Sequence, residues 1–144
     1  MLEVSDMTGE EMKALLGRAK YGHLAVARDG HPYVVPMNYA FDGRNLYFLT
    51  TEGTKTEYIG ANREVCFQVE EVEDWSRWQS VMLTGRAERL TTPDDTERAM
   101  QLISERNPTL APALNRTKIG NWTRLSHLAL FRVRTEALYG RKTV

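Results

Sequence analysis

The chain of 144 residues has the length of one domain, and a domain of this size can bury about two thirds of its unfolded surface. Its 19 basic and 19 acidic side chains leave no formal net charge, so no bulk field draws it toward nucleic acid or an anionic membrane. Hydrophobic residues make up 42%, and no apolar run approaches the roughly 20 residues that cross a bilayer. The sequence therefore predicts one soluble domain over residues 1–144, with no nucleic-acid or membrane partner.

The N-terminal part predicts a helix and then a strand. Thr8 and Glu11 have the spacing of a capping box, and apolar residues follow at intervals of three and four up to about Arg18. A strand of small residues over 24–27 comes next, and Asp29-Gly30 is typical of a turn. We therefore expect a short amphipathic helix followed by the first strand.

Two runs rich in β-formers follow, Tyr33 to Phe41 and Leu46 to Thr51, with Asp42-Gly43 between them. Glycine tolerates the positive φ of a tight hairpin loop, and aspartate caps such a bend with its side chain. The two runs are therefore predicted to pair as an antiparallel hairpin. Pro36 lies within the first run and cannot donate to a ladder, which indicates an edge, a bulge or a break that faces a ligand.

The start of a second helix follows this hairpin. Thr54 and Glu57 again match a capping box, which makes Thr54 the predicted N-cap of a helix that ends near Ala61-Asn62. Lys55 then lies in the first turn, where free amides and the helix dipole already carry partial positive charge. An anion bound there would make the lysine favourable, since amides, hydroxyls and an ammonium together form a phosphate site. The alternative is an ordinary solvated surface lysine.

The middle of the chain predicts two more strands. Residues 65–70 alternate apolar and polar side chains, and the charge run at 70–74 is expected to be a solvated strand end and loop. Trp75 and Trp78 follow in a polar setting, where large aromatic side chains favour an interface or contact with a ring. The next strand spans 80–90, and Gly85 within it permits a bulge.

The C-terminal part begins with a clear helix start. Thr92 is the predicted cap and Pro93 the first helical residue, and Asn107-Pro108 ends the helix. The segment 107–121 gives no interpretable pattern, and a last strand is predicted at 128–133. Short strands with hairpin turns favour a small antiparallel β-barrel with peripheral helices.

The number and spacing of cysteines and histidines argue against a disulfide and against a structural metal site. Cys66 is the single cysteine, so an intrachain disulfide is impossible, and no neighbouring cation or histidine in the sequence indicates a reactive thiol. The three histidines, His23, His31 and His127, show no metal-ligand spacing, so no structural metal site is predicted. The N-terminus lacks the features of a signal peptide, and a cytoplasmic location is expected.

Several short motifs, in order, resemble a known family. They are Gly-x-Leu-Ala at 22–25, Gly-x-Pro-x-x-x-Pro at 30–36, the hairpin, Lys55, and Gly-x-Ala-Glu at 85–88. This arrangement is similar to the flavin-binding split β-barrels related to pyridoxamine 5′-phosphate oxidase, particularly the branch with nitroimidazole-resistance proteins. The resemblance covers most of the chain. It implies a mainly β fold, an antiparallel FMN-binding split β-barrel with short flanking α-helices.

The resemblance also implies a cofactor site and a homodimer with the cofactor at the subunit interface. Tyr139-Gly140-Arg141 is similar to a family tail that returns to the flavin. The residues expected along the flavin ring are Val35, Pro36, Met37, Asn38 and Tyr39, those on the ribityl phosphate side are Phe48, Thr50, Thr51, Thr54 and Lys55, and Ser80 lies on the partner-facing strand near the ring.

The function implied by the resemblance is an FMN-dependent oxidoreductase that reduces nitro or other small aromatic compounds with electrons from a nicotinamide cofactor. No catalytic side chain is assigned, because the flavin carries the redox chemistry. The arginines that the oxidases proper use for substrate phosphate are not matched, so oxidation of vitamin B6 is not implied. The alternatives are a deazaflavin in place of FMN, a haem-binding split barrel with His23 or His127 as axial ligand, and a non-enzymatic flavin-binding or sensor protein.

Overall fold

The chain folds as an antiparallel sheet with flanking helices, described by a computed structural model over residues 1–107 and 128–144. The elements in chain order are β1 (Val4–Asp6), α1 (Gly9–Arg18), β2 (Tyr21–Arg28), β3 (His31–Asn38), β4 (Ala40–Phe41), β5 (Leu46–Thr51), α2 (Thr54–Ala61), β6 (Glu64–Asp74), β7 (Arg77–Arg89), α3 (Pro93–Arg106) and β8 (Leu128–Thr143). The three predicted helices are confirmed in their predicted order among the strands, and one strand that was not predicted, β1, precedes α1. Residues 108–121 and His127, for which expectations were stated, lie outside the described residues.

The strands form one sheet in the order β3-β2-β6-β7-β8-β5-β4, and β1 pairs with β8. All pairings are antiparallel, and β3 at one end of this order also contacts β5 near the other end. The sheet therefore curls into a barrel with a seam between β3 and β5. The prediction of a small antiparallel barrel with peripheral helices is confirmed.

Two clusters of buried side chains form the core. The larger fills the barrel and takes the inward-facing residues of the strands, such as Leu24, Phe67 and Leu83, none of which is exposed. The smaller lies beneath α3, where Ala99 and Ile103 pack against the sheet. Strand alternation assigns every second side chain to this interior, and the other half forms an outer face.

The hairpin predicted from Tyr33 to Thr51 is wrong for most of its length. β3 pairs with β2 instead, and only β4 pairs with β5, opposite Tyr47 and Leu46. The physical reason is Tyr39, which interrupts the strand and turns its side chain into the core. The turn itself is as predicted: Gly43 has φ of 95°, and Asp42 Oδ1 accepts from two following backbone N–H groups at 2.7 and 2.8 Å.

The solvated strand end predicted at 70–74 is present, but the loop expected there and around Trp75 and Trp78 is wrong, because β6 and β7 form one long hairpin. β6 continues to Asp74 and β7 begins at Arg77, so only Trp75 and Ser76 make the turn. Asp74 Oδ1 accepts from the Ser76 N–H at 2.8 Å, and Asp74 also pairs with Arg77. The end of this hairpin extends beyond the barrel and is exposed on both faces. Charged side chains can therefore occupy both faces of the strands, and the sequence there shows no apolar alternation.

The last strand, β8, is also longer than the predicted 128–133, because it pairs along β7, β5 and β1 in turn. The bulge permitted by Gly85 is present as a register shift after Thr84. A Cβ at Gly85 would lie 2.1 Å from the Arg134 carbonyl oxygen, so the close approach of the two strands requires glycine. Within the described ranges, no helix is long and apolar enough to cross a membrane.

Candidate functional site

The predicted ring-lining residues lie on β3 or directly after it, and strand alternation divides them between two faces. Pro36 and Asn38 are exposed on the outer face. Val35 and Met37 point the other way and pack, half-buried, against the larger core cluster. A ligand on the outer face can therefore meet the side chains of Pro36 and Asn38 but only the backbone of the residues between them.

Tyr39 and Phe48 belong to the core. Tyr39 is 0% exposed, its hydroxyl donates to the Leu16 carbonyl oxygen at 2.5 Å, and its ring packs against Phe67. Burial raises the pKa of Tyr39 to about 12, an effect that nearby Arg106 partly opposes. Phe48 is equally buried. Neither side chain reaches the surface, so neither can contact a ligand on the outer face. Both side chains pack in the core beneath the strands that carry the predicted site.

The start of α2 differs by one residue from the prediction. The N-cap is Gly53 rather than Thr54, because the Thr56 hydroxyl accepts from the Gly53 N–H at 2.9 Å and Glu57 does not supply the box. The first helical hydrogen bond runs from the Glu57 N–H to the Gly53 carbonyl. The amides of Thr54, Lys55 and Thr56 precede it and have no helical partner, which leaves them available to an anion.

Lys55 lies in this first turn and is half-buried. Over the described residues it makes no ion pair. The nearby cation Arg89, by contrast, pairs with Glu52 just before the helix. Thr51 and Thr54 are exposed, whereas Thr50 is 7% exposed with its hydroxyl turned to the Thr51 carbonyl at 3.3 Å.

Aromatic contacts fix α2 beside β2 and β3. The Tyr58 ring lies 5.7 Å from that of Tyr33, and the Arg28 guanidinium lies 4.8 Å from the Tyr58 centroid. At the end of the helix, Asn62 Nδ2 donates to the Ala27 carbonyl at 3.1 Å. These contacts hold α2 against the end of β2 and the beginning of β3, and Pro36 and Asn38 lie further along β3, where Asn38 pairs with Tyr21.

Ser80 on β7 is connected to Pro36 on β3 through His23 and Gln68, a relation that the sequence did not predict. Pro36 is opposite His23, and His23 is opposite Gln68 in the sheet register. His23 Nδ1 lies 3.3 Å from Gln68 Oε1, and Gln68 Nε2 donates to Ser80 Oγ at 3.0 Å. His23 and Gln68 also line a small cavity of about 150 Å³ with Tyr21 and Glu70. Only the strand register, which is non-local, could have revealed this polar row.

The thiol of Cys66 shows no sign of activation. It is half-buried on the same outer face, and burial raises its pKa, so the thiolate is disfavoured. Over residues 1–107 and 128–144, no group of three His, Cys, Asp or Glu side chains could hold a metal ion.

The architecture defines a split β-barrel, as the resemblance implied. The chain belongs to the pyridoxamine 5′-phosphate oxidase family, whose model matches residues 8–142. The predicted family is thereby confirmed.

Similar solved structures cover almost the whole chain. An FAD-binding protein from Mesorhizobium loti is 29% identical with a TM-score of 0.78, over 96% of this chain and 97% of that one. A putative 5-nitroimidazole antibiotic resistance protein from Bacteroides thetaiotaomicron is 19% identical with a TM-score of 0.79, over 99% and 89%. The FAD-binding protein of Mycobacterium smegmatis is 22% identical with a TM-score of 0.71, over 96% and 97%.

A curated relative, an uncharacterized protein of Rhizobium meliloti, is 34% identical over 84 residues, or 58% of this chain. That match spans 56% of the relative's own length.

Proposed function

We propose that the protein is an FMN-dependent oxidoreductase that holds the cofactor phosphate at the start of α2. The observation that carries this proposal is Lys55, a half-buried cation with no carboxylate partner among the described residues, beside three amides without helical partners. A cation at a helix N-terminus opposes the dipole and gains stability only if an anion is bound. Similarity to an FAD-binding protein from Mesorhizobium loti supports a flavin as the source of that anion.

The remaining residues fit a flavin in a definite way. The exposed hydroxyls of Thr51 and Thr54 can donate to phosphate oxygens, and Pro36 and Asn38 offer an apolar and a polar contact to the ring on the outer face. When bound, FMN supplies the electron-transfer chemistry, while the protein binds and orients it and limits water. Tyr39, just after β3, and Phe48, on β5, support these two strands from the core side.

We further propose a nicotinamide as electron donor and a nitro or other small aromatic compound as acceptor. The similarity to a putative 5-nitroimidazole resistance protein supports this substrate class. Adding NADH or NADPH to the flavin-loaded protein without oxygen should bleach the flavin absorbance. Persistent colour with both donors would favour a passive flavin-binding or sensor protein.

The phosphate contact is tested by titrating FMN and riboflavin into wild type and Lys55→Ala. Loss of a charge-assisted contact worth about 1.5–3 kcal/mol should weaken FMN binding roughly ten- to a hundredfold. Riboflavin lacks the phosphate, so its affinity should be the same for both proteins. Equal FMN affinity for wild type and Lys55→Ala would overturn the proposed site.

The identity of the cofactor is tested separately. Mass spectrometry of the ligand released from the native protein distinguishes FMN from FAD and from a deazaflavin, and visible absorbance distinguishes all of these from haem. For the haem alternative, His23 would have to supply Nε2, since its Nδ1 faces Gln68.

We also propose a homodimer with the cofactor at the subunit interface. The chain presents Pro36 and Asn38 on an open outer face, where a second subunit could exclude water. Such an interface should bury well over about 1,000 Å². A monomer mass by light scattering at micromolar concentration, with flavin bound, would contradict the dimer.

A further inference from the structure

A small cavity lies on the outer face between the start of β2 and the middle of β6, and its walls include Tyr21, His23, Gln68 and Glu70. Its volume of about 150 Å³ is that of a protein cavity known to hold benzene, so one small aromatic ring fits. The Tyr21 ring is exposed and meets the His23 ring edge to face, with 5.9 Å between centroids. The cavity therefore offers an aromatic wall and several polar atoms to one small ligand.

The cavity adjoins the strand that is proposed to carry the flavin ring. His23 is directly opposite Pro36 in the ladder between β2 and β3, and Tyr21 is opposite Asn38. Residues opposite one another in an antiparallel pair point to the same face of the sheet, with Cβ atoms roughly 4.5–5.5 Å apart. A molecule in the cavity would therefore lie beside a cofactor that covers Pro36 and Asn38.

The side-chain amide of Gln68 has one orientation that satisfies its neighbours. Its Nε2 lies 3.0 Å from Ser80 Oγ and 3.4 Å from Glu70 Oε2. An ionised carboxylate only accepts hydrogen bonds, so the NH₂ group of the amide, and not its carbonyl, must face Glu70. Gln68 Oε1 is thereby directed at His23 Nδ1, which lies 3.3 Å away. Gln68 therefore presents a hydrogen-bond acceptor to the histidine.

The orientation of Gln68 determines which ring nitrogen of His23 carries the proton. Because Gln68 Oε1 accepts, Nδ1 must donate to it, and a neutral imidazole has only one N–H group. Nε2 of the neutral ring then carries a lone pair. Among the described residues Nε2 has no hydrogen-bond partner, and it is not sealed off from solvent. His23 therefore holds an acceptor that is open to a ligand.

The charged groups around the cavity do not favour a ligand of one sign. Lys20 and Glu71 also line it, and the Glu71 carboxylate is already paired with Arg18 at 2.9 Å. Lys20 and Glu70 are exposed side chains of opposite charge, so solvent screens both and their effects oppose each other. Selection of a ligand must therefore come from the hydrogen bond that His23 can accept and not from net charge.

We propose that this cavity binds the small aromatic acceptor of the reaction and selects rings with an N–H group that donates to His23 Nε2. Gln68 is a positioning residue, because it acts through the tautomer of His23. An analogue without the donor binds less well, since the acceptor is then left unpaired. The inference rests on the proposed oxidoreductase function for the role of the ligand, whereas the hydrogen bond itself can be measured by binding alone.

Two probes that differ by one methyl group test the selection: 4-nitroimidazole has a ring N–H, and 1-methyl-4-nitroimidazole has none. Calorimetric titration of the flavin-loaded protein at about pH 7.5, where histidine side chains in general are mostly neutral, gives both dissociation constants. Wild type should bind the N–H compound about three- to tenfold more tightly. His23→Phe keeps an aromatic ring without the acceptor and should bind the two compounds almost equally. Equal affinities in wild type, or an unchanged preference in His23→Phe, would overturn the proposal.

The tautomer of His23 can be measured without any ligand. Nitrogen chemical shifts of isotope-labelled histidine distinguish a protonated from an unprotonated ring nitrogen, and the signals of His23 are those missing from His23→Phe. Wild type should show a protonated Nδ1 and an unprotonated Nε2. Gln68→Leu removes the acceptor, so it should increase the population with the proton on Nε2 and reduce the preference for the N–H probe. A protonated Nε2 in wild type, or no change in Gln68→Leu, would contradict the assigned role of Gln68.

Further measurements separate this inference from the proposed function. His31→Phe changes an exposed histidine at the start of β3, away from the cavity, and should keep the wild-type preference. If His23→Phe does not fold, the probe preference of Gln68→Leu supplies the test. A wild-type flavin that bleaches with NADH or NADPH, together with equal affinity for the two probes, would end this inference and leave the proposed function intact. Absence of flavin from the native protein would instead end the proposed function, and with it the role of the ligand as acceptor.

Discussion

The two faces of β3 show how one short stretch serves two purposes. Pro36 and Asn38 point outward and are exposed, whereas Met37 packs against the core and Tyr39, just after the strand, is fully buried. The sequence resemblance treats this stretch as one ligand-binding unit, yet strand alternation gives a ligand only half of its side chains. The comparison teaches that changes to inner residues should alter stability, and changes to outer residues should alter binding.

The largest effect on stability is expected from replacing the buried residue Tyr39. Tyr39→Ala removes a fully buried aromatic ring and should lower the free energy of unfolding by about 3–5 kcal/mol. Tyr39→Phe keeps the ring but leaves the Leu16 carbonyl without its donor, at a cost of about 1–3 kcal/mol. Urea denaturation measures both. FMN affinity of the folded Tyr39→Phe protein should match wild type, and a marked loss would mean that the hydroxyl reaches the ligand.

Replacing an outer-face residue of β3 should have the opposite result, a loss of cofactor affinity with little change in stability. Asn38→Ala removes one polar contact to the bound cofactor and should weaken FMN binding about three- to tenfold. Its side chain is exposed, so the free energy of unfolding of the apo protein should stay within about 0.5 kcal/mol of wild type. Fluorescence titration and urea denaturation give the two values. A variant that loses stability but not affinity would reverse the assignment of the two faces.

Local signals predicted the parts of the fold that depend on neighbours in sequence. Thr8 and Thr92 cap α1 and α3 as expected, with Oγ1 atoms 3.2 and 3.3 Å from the backbone nitrogens whose hydrogens they accept. The cap of α2 was displaced by one residue because Thr56 offers a competing hydroxyl. The polar row from His23 through Gln68 to Ser80 was not derivable, because it depends on the register across β2, β6 and β7.

In the candidate site, too, only the features that depend on neighbouring residues in the sequence were predictable. Lys55 could be placed in the first turn of a helix from the residues alone, since caps are local. Its partial burial and its lack of an ion pair over the described residues could not, because both depend on how α2 packs beside β2. The long β6–β7 hairpin was missed because charged residues on a strand beyond the barrel have no apolar period.

A smaller effect is expected on the stability of the apo protein when Lys55 is replaced, and it reports the interaction of the lysine with the helix dipole in the absence of a ligand. In the apo protein, Lys55→Ala removes a cation that opposes the dipole and adds a good helix former, so the free energy of unfolding should rise by up to about 1 kcal/mol. Lys13→Ala, an exposed change within α1, is the matched control and should alter stability by less. Thermal denaturation without ligand measures both. A clear loss of apo stability in Lys55→Ala would show that the lysine is already paired.

The smallest effect is expected at Cys66, an outer-face residue with no assigned chemistry. Burial raises the pKa of its thiol, so the thiolate that a nucleophile or redox centre needs is disfavoured. Cys66→Ser should therefore accept electrons from NADH or NADPH at the wild-type rate when loaded with flavin. Any loss in the free energy of unfolding should be no more than about 1 kcal/mol, since the side chain is only half-buried. Cys66→Ala separates polarity from size in this measurement. A folded, flavin-loaded Cys66→Ser protein that fails to bleach would place the thiol in the chemistry, and the division between structural inner residues and ligand-facing outer residues would then need a catalytic member on the outer face.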